Sequence, residues 1–131
     1  MMLVATKSIL VVDDDEDCRI IAQRILSRAG YTVDTACDGA EGLEKAQSKR
    51  FDLILLDVMM PKLDGFEVCA RIRKDKPNAD TPVVMVTALD SISDQAKASE
   101  SGAQWIVNKP YDSHYLLSVA NHRVNQLDPG V

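Results

Sequence analysis

Three aspartates and one lysine carry most of the chemistry this sequence offers. Asp13 and Asp14 follow the apolar run Ile9-Leu10-Val11-Val12, and Asp57 follows a second run, Leu53-Ile54-Leu55-Leu56. A short continuous apolar run is the mark of a strand buried on both faces of a parallel sheet. A carboxylate extends such a run only where the strand opens onto solvent. Ligands of open α/β sheets bind at that rim, outside the carboxyl ends of the strands. Two strands that bring three carboxylates to the rim make a hard, oxygen-rich cluster. Such a cluster suits Mg²⁺, which takes one or two carboxylates together with phosphate oxygens and water.

Two more strand ends point to the same rim. Pro82-Val83-Val84-Met85-Val86 ends in Thr87-Ala88, and Trp105-Ile106-Val107-Asn108 ends in Lys109-Pro110. Mg²⁺ on Asp14 and Asp57 would neutralise carboxylate charge and draw in a phosphoryl oxygen. The ammonium of Lys109 would reach a second oxygen and the hydroxyl of Thr87 a third. Ala88 is small enough to leave the approach open. Phosphoryl transfer is mostly positioning and charge stabilisation, and an aspartate can act as the accepting nucleophile. The Lys109-Pro110 bond is a candidate for the cis form.

The elements that must position these residues alternate regularly. Strand-like runs begin near Ile9, Tyr31, Leu53, Pro82 and Trp105, and each gap between them holds one helix-length segment. That alternation indicates βαβ units. In the first helix Cys18, Ile21, Ala22, Ile25 and Ala29 recur with helical spacing, and Gly30 ends it. Asp38 with Glu41, and Asp64 with Glu67, read as capping boxes opening the second and third helices. A fourth helix, 90–101, has only Ile92, Ala96 and Ala98 as apolar residues and should be weakly held. The last spans about 112–126. Right-handed crossovers then give a flavodoxin-like, doubly wound sheet of five parallel strands in the order 2-1-3-4-5, with five helices. Its ligand site lies between strands 1 and 3, which are the strands ending in Asp13-Asp14 and Asp57.

Composition bounds the rest. The chain has 131 residues, enough for one domain, expected over 7–127 with short tails at 1–6 and 128–131. A net charge of −5 and a pI near 4.9 argue against nucleic-acid binding. No apolar stretch is long enough to span a bilayer. The first residues lack the layout of a signal peptide, so a cytoplasmic location is expected. Cys18, Cys37 and Cys69 form no CxxC pair and read as small buried hydrophobes in a reducing compartment. Asp15, Glu16 and Asp17 read as a solvated helix start. Asp64 is read as a helix cap, His114 and His122 as surface residues, and Trp105 as a packing residue.

From Lys7 to Leu127 the chain resembles a response-regulator receiver domain. The resemblance rests on four pieces in order: Ile9 to Asp14, then Leu55-Leu56-Asp57-Val58-Met59-Met60-Pro61-Lys62-Leu63-Asp64-Gly65, then Val86-Thr87-Ala88, then Asn108-Lys109-Pro110. It implies that Asp57 is the phosphoacceptor, that Asp14 ligates Mg²⁺, and that Asp13 acts largely through water. It also makes the Met59 carbonyl a metal ligand, Thr87 the switch hydroxyl and Lys109 the phosphate-binding lysine. Gly65 would permit a tight turn, and Met59 and Leu89 would tune hydrolysis. The implied donor is a histidine kinase or a histidine phosphotransfer protein. The recipient is a protein effector, or a fused effector domain absent here, since nothing after Gln126 can form one. The protein would catalyse only its own phosphorylation and slow dephosphorylation. One position departs from the family: Ile106 stands where an aromatic residue usually follows the switch hydroxyl inward.

Two other readings compete. A pseudo-receiver would dock partners without phosphate, against which stands the intact set Asp14, Asp57, Thr87 and Lys109. A phosphatase of the haloacid-dehalogenase type is imitated by Asp13-x-Asp15, but Glu16 and Asp17 stand where that family wants threonine or glycine-like residues. Binding of beryllofluoride with Mg²⁺ at Asp57 would separate a receiver from both.

Overall fold

A computed structural model describes residues 6–88 and 92–125. Strands and helices alternate: β1 (Ser8–Val12), α1 (Glu16–Arg28), β2 (Thr32–Ala36), α2 (Gly39–Ser48), β3 (Leu53–Leu56), α3 (Gly65–Lys74), β4 (Val83–Thr87), α4 (Ile92–Glu100), β5 (Trp105–Asn108) and α5 (Ser113–Val124). The strands pair in parallel in the order β2-β1-β3-β4-β5, as the alternation predicts.

Strand periodicity divides the core in two. Leu10, Val12, Ile54, Leu56, Val83 and Met85 face one side and pack with α2, α3 and α4. Their neighbours Ile9, Val11, Leu53, Leu55, Val84 and Val86 face the other side, against α1 and α5. Each fully buried aliphatic side chain contributes about 1.5–3 kcal/mol. The three central strands are thus buried on both faces, and β1 and β3 reach the rim side by side.

Aspartates start four of the helices. Asp15, Asp38, Asp64 and Asp112 accept from the amides of Cys18, Glu41, Glu67 and Tyr115 at 3.0, 2.8, 2.9 and 2.7 Å. Such a cap is worth about 1 kcal/mol. In the Asp38 box, Glu41 answers by accepting from the Cys37 amide at 2.7 Å. At Asp64 only half the box forms, because Glu67 pairs with Arg71 at 3.0 Å.

Several expectations change. The buried face of α1 runs through Ala22 and Leu26, while Ile21 is 52% exposed and Ala29 is exposed. Ile21 and Ala22 are about 100° apart on a helix, so the helix that buries one turns the other out. Only Cys69 is buried; Cys18 is half-buried and Cys37 exposed, in the short step between β2 and the α2 cap. In α4, Ala98 is buried and Ala96 exposed. The start expected for that helix at Asp90, and the chain beyond 125, lie outside the described residues. Trp105 is a rim residue, 45% exposed. Arg123 lies 4.8 Å above its ring and Tyr115 accepts from its indole N–H at 3.3 Å.

Candidate functional site

The backbone ladder runs one residue past both β1 and β3. The Asp13 amide donates to Ala36 O at 3.1 Å and the Asp57 amide to Val12 O at 2.9 Å. Both aspartates are thus placed by main chain before their side chains make any contact. Asp13 and Asp57 are buried, Asp14 is exposed, and one carboxylate oxygen from each lies within 4.8 Å of the others.

Lys109 completes the cluster from β5. Its Nζ lies 2.8 Å from Asp13 Oδ2 and 3.7 Å from Asp57 Oδ2. Its amide donates to Thr87 O at 2.8 Å, which ties the ends of β4 and β5 together, and the Lys109-Pro110 bond is cis. Thr87 is 2% exposed at the end of β4. The sheet therefore brings together Asp13, Asp14, Asp57, Thr87 and Lys109 at one rim. Met59 lies there too, its side chain 62% exposed and its amide donating to the Asp57 carboxylate.

Charge in this rim is strained. Burial pushes the Asp57 carboxyl up to about 6, against the pull of Lys109, and Asp13 and Asp14 add to the rise. Burial lowers Lys109, but its bond to Asp13 and the charges of Asp57 and Asp13 outweigh that and raise it. Three carboxylates facing one ammonium leave an excess of negative charge. An all-oxygen donor set with that excess fits a small divalent cation such as Mg²⁺.

Gly65 is required by approach rather than by dihedral. Its amide donates to Val58 O at 3.0 Å. A Cβ there would stand 2.3 Å from Asp57 O and 2.8 Å from Val58 Cα. The positive φ in this loop belongs to Lys62 instead, at 69°.

The sequence matches the family model of the response regulator receiver domain over residues 9–121. This chain belongs to that family. The receiver is 44% identical over 110 residues to the "DNA-binding dual master transcriptional regulator RpaA" of Synechocystis, a match covering 84% of this chain and 46% of RpaA. It thus spans about half the length of the curated relatives it matches. Among solved structures it is similar to Vibrio cholerae chemotaxis protein CheY4, with a TM-score of 0.87, 36% identity, and 91% and 99% of the two chains covered. It is also similar to the receiver domain of the sensor histidine kinase PA1611 from Pseudomonas aeruginosa, with a TM-score of 0.86, 25% identity, and 93% and 100% covered. That structure is described as having a magnesium ion coordinated in the active-site cleft.

The chain is therefore the receiver domain of a two-component response regulator, with the flavodoxin-like fold expected of it. No helix among the described residues is long and apolar enough to cross a membrane. Sequence reasoning overlooked one residue of this rim: Arg19, whose Nη1 donates to the Asp13 carbonyl at 2.8 Å. Its signal was a lone cation two residues after Asp17, in an otherwise acidic helix start.

Proposed function

We propose that this receiver takes a phosphoryl group from a histidine kinase or a histidine phosphotransfer protein onto Asp57. The carrying observation is the burial of Asp57 at the end of β3 with two more carboxylates within 4.8 Å and an ammonium at 3.7 Å. An Asp57 carboxylate oxygen attacks phosphorus, the phosphorus–nitrogen bond to the donor imidazole breaks, and the imidazole leaves. Asp14, Asp57 and the Met59 carbonyl would hold Mg²⁺, with Asp13 acting through water. Bound there, the ion offsets carboxylate charge and shields the incoming phosphoryl oxygens. Lys109 would leave Asp13 for the phosphoryl group, and the Thr87 hydroxyl would donate to it.

Residues 7–127 are read as the working unit. The output passes to a protein effector or to an effector domain fused to the receiver. RpaA, named as DNA-binding, favours the fused arrangement. The receiver itself, with its net charge of −5, has no basic footprint for nucleic acid. It is no enzyme beyond its own phosphorylation and dephosphorylation, and it works in the cytoplasm.

Incubation with acetyl phosphate and Mg²⁺, read by intact mass, tests the proposal. Wild-type protein should gain one phosphoryl mass and Asp57→Asn none. Normal uptake by the variant would assign the acceptor elsewhere. Uptake by neither protein, together with no binding of beryllofluoride, would favour the pseudo-receiver.

A further inference from the structure

Asp13 is saturated. Its amide donates to Ala36 O at 3.1 Å, its Oδ1 accepts from the Asp15 amide at 3.0 Å, its Oδ2 from Lys109 at 2.8 Å, and its carbonyl from Arg19 Nη1 at 2.8 Å. The first three follow from the strand end, the turn after it and the ion pair with Lys109. The fourth does not. It brings a half-buried guanidinium from α1 to a main-chain oxygen in the acidic loop.

The consequence falls on Asp14. Its preceding peptide carries the carbonyl that Arg19 holds, and its following peptide carries the Asp15 amide that Asp13 Oδ1 holds. Asp14 is exposed, and these two bonds to its flanking peptides set the direction in which its Cα–Cβ bond leaves the loop. Arg19 is itself fastened one turn into α1, its amide donating to Asp15 O at 2.9 Å. Asp13 is thus held from α1 by Arg19 and from the end of β5 by Lys109.

We propose that Arg19 is a positioning residue for the divalent cation: by holding the Asp13 carbonyl it orients the Asp13–Asp14 peptide and aims the Asp14 carboxylate. The inference rests on the reading of Asp14 as a metal ligand. Charge and position predict opposite outcomes when Arg19 is removed. A cation beside a metal site repels the metal, so its loss alone would tighten binding. Loss of the group that orients a ligand loosens metal binding by about 10- to 100-fold. The net sign therefore identifies the role.

Calorimetric titration of the metal-free protein with Mg²⁺ reads that sign. Asp14→Ala should lose most binding. Arg19→Met, which keeps the length of the aliphatic stem without the charge, should bind about tenfold more weakly. Arg19→Lys, which restores one donor, should recover part of the loss. In EDTA the carbonyl ¹³C resonance of Asp13 and the amide ¹⁵N of Asp14 should move in Arg19→Met, with the thermal midpoint showing that the fold persists. Equal or tighter Mg²⁺ binding by Arg19→Met, no advantage for Arg19→Lys over Arg19→Met, or unmoved Asp13 and Asp14 resonances would overturn the proposal. Absent Mg²⁺ binding in wild type, or undiminished binding in Asp14→Ala, would overturn the metal-site reading beneath it.

Discussion

Asp57→Asn should make the metal-free protein more stable. Burial raises the Asp57 carboxyl from 3.8 to about 6, so between those pH values the folded state holds a proton that the unfolded state has released, and above them it carries a charge it disfavours. A tenfold change in proton affinity corresponds to about 1.4 kcal/mol, so carrying Asp57 ionised at pH 7.5 costs about 3 kcal/mol. Asparagine fills the same volume without the charge, and the rise to about 6 already counts the pull of Lys109; what offsets the gain is the cost of burying the amide in its place. The net gain should be about 1–2 kcal/mol, or roughly 5 °C in the thermal midpoint for a domain of this size.

The pH dependence carries the sign. Between 3.8 and about 6 the native state binds more protons than the unfolded one, so wild-type stability falls as pH rises through that window. The variant has no such slope. Its advantage should be full at pH 7.5 and nearly gone at pH 4. Thermal unfolding of both proteins in EDTA at these two pH values measures it. Added Mg²⁺ should stabilise wild type more than the variant and shrink the gap. A variant no more stable than wild type at pH 7.5, or a gap of equal size at both pH values, would refute the account of Asp57 as a buried, destabilised charge.

Removing Lys109 leaves Asp13 and Asp57 without their cation, so Lys109→Ala should lose about 3 kcal/mol, more at pH 8 than at pH 5, in urea denaturation. It should also still take up some phosphoryl group without passing the signal on, which an output assay on the phosphorylated variant reads. Gly65→Ala must push the Asp57 carbonyl away from a Cβ at 2.3 Å; a loss of about 2–3 kcal/mol and of uptake from acetyl phosphate is expected by thermal unfolding and intact mass. Met59, two residues past Asp57 and 62% exposed, offers no strong hydrogen-bonding group to a water. Met59→Asn combined with Leu89→Glu, the latter outside the described residues, should speed loss of the phosphoryl group roughly tenfold, read as decay after the donor is removed.

How much the sequence disclosed follows from what each signal measures. The apolar runs of β1, β3 and β4 are buried on both faces, so they stand out in the sequence, and the aspartates just past them fall at the rim. Two helix starts, at Asp38 and Asp64, were legible because a cap is a local interaction. The face of α1 was not, because Ile21 and Ala22 fit nearly the same helical pattern and only the sheet beneath decides between them. Arg19 was missed for a related reason. Its bond is to a carbonyl, which carries no residue identity, and the acidic residues around it read as a solvated helix start. Cys37 was misread because burial was inferred from residue type alone.

Ile106 is where chemistry and output meet. It is half-buried against the α2–α3–α4 side of the core, and with Val58, Phe66, Met85, Thr87 and Ala98 it closes a region that holds no water-sized void. With no void on that side to move into, and no ring to move, Ile106 should shift less than the aromatic residue the family usually has there. What remains is main chain: Thr87 is in register with Asn108, and the Lys109 amide donates to its carbonyl at 2.8 Å. A Thr87 drawn toward a phosphoryl group at Asp57 therefore pulls the end of β5 directly. The element with least to resist that pull is α4, anchored among its described side chains by Ala98 alone, and few apolar contacts mean a low local opening energy. Beryllofluoride with Mg²⁺ should change amide exchange in α4 and the end of β5 while the methyl resonances of Ile106 move little. Unchanged exchange over 92–111, or a large shift at Ile106 with α4 still, would show that the signal travels by another route.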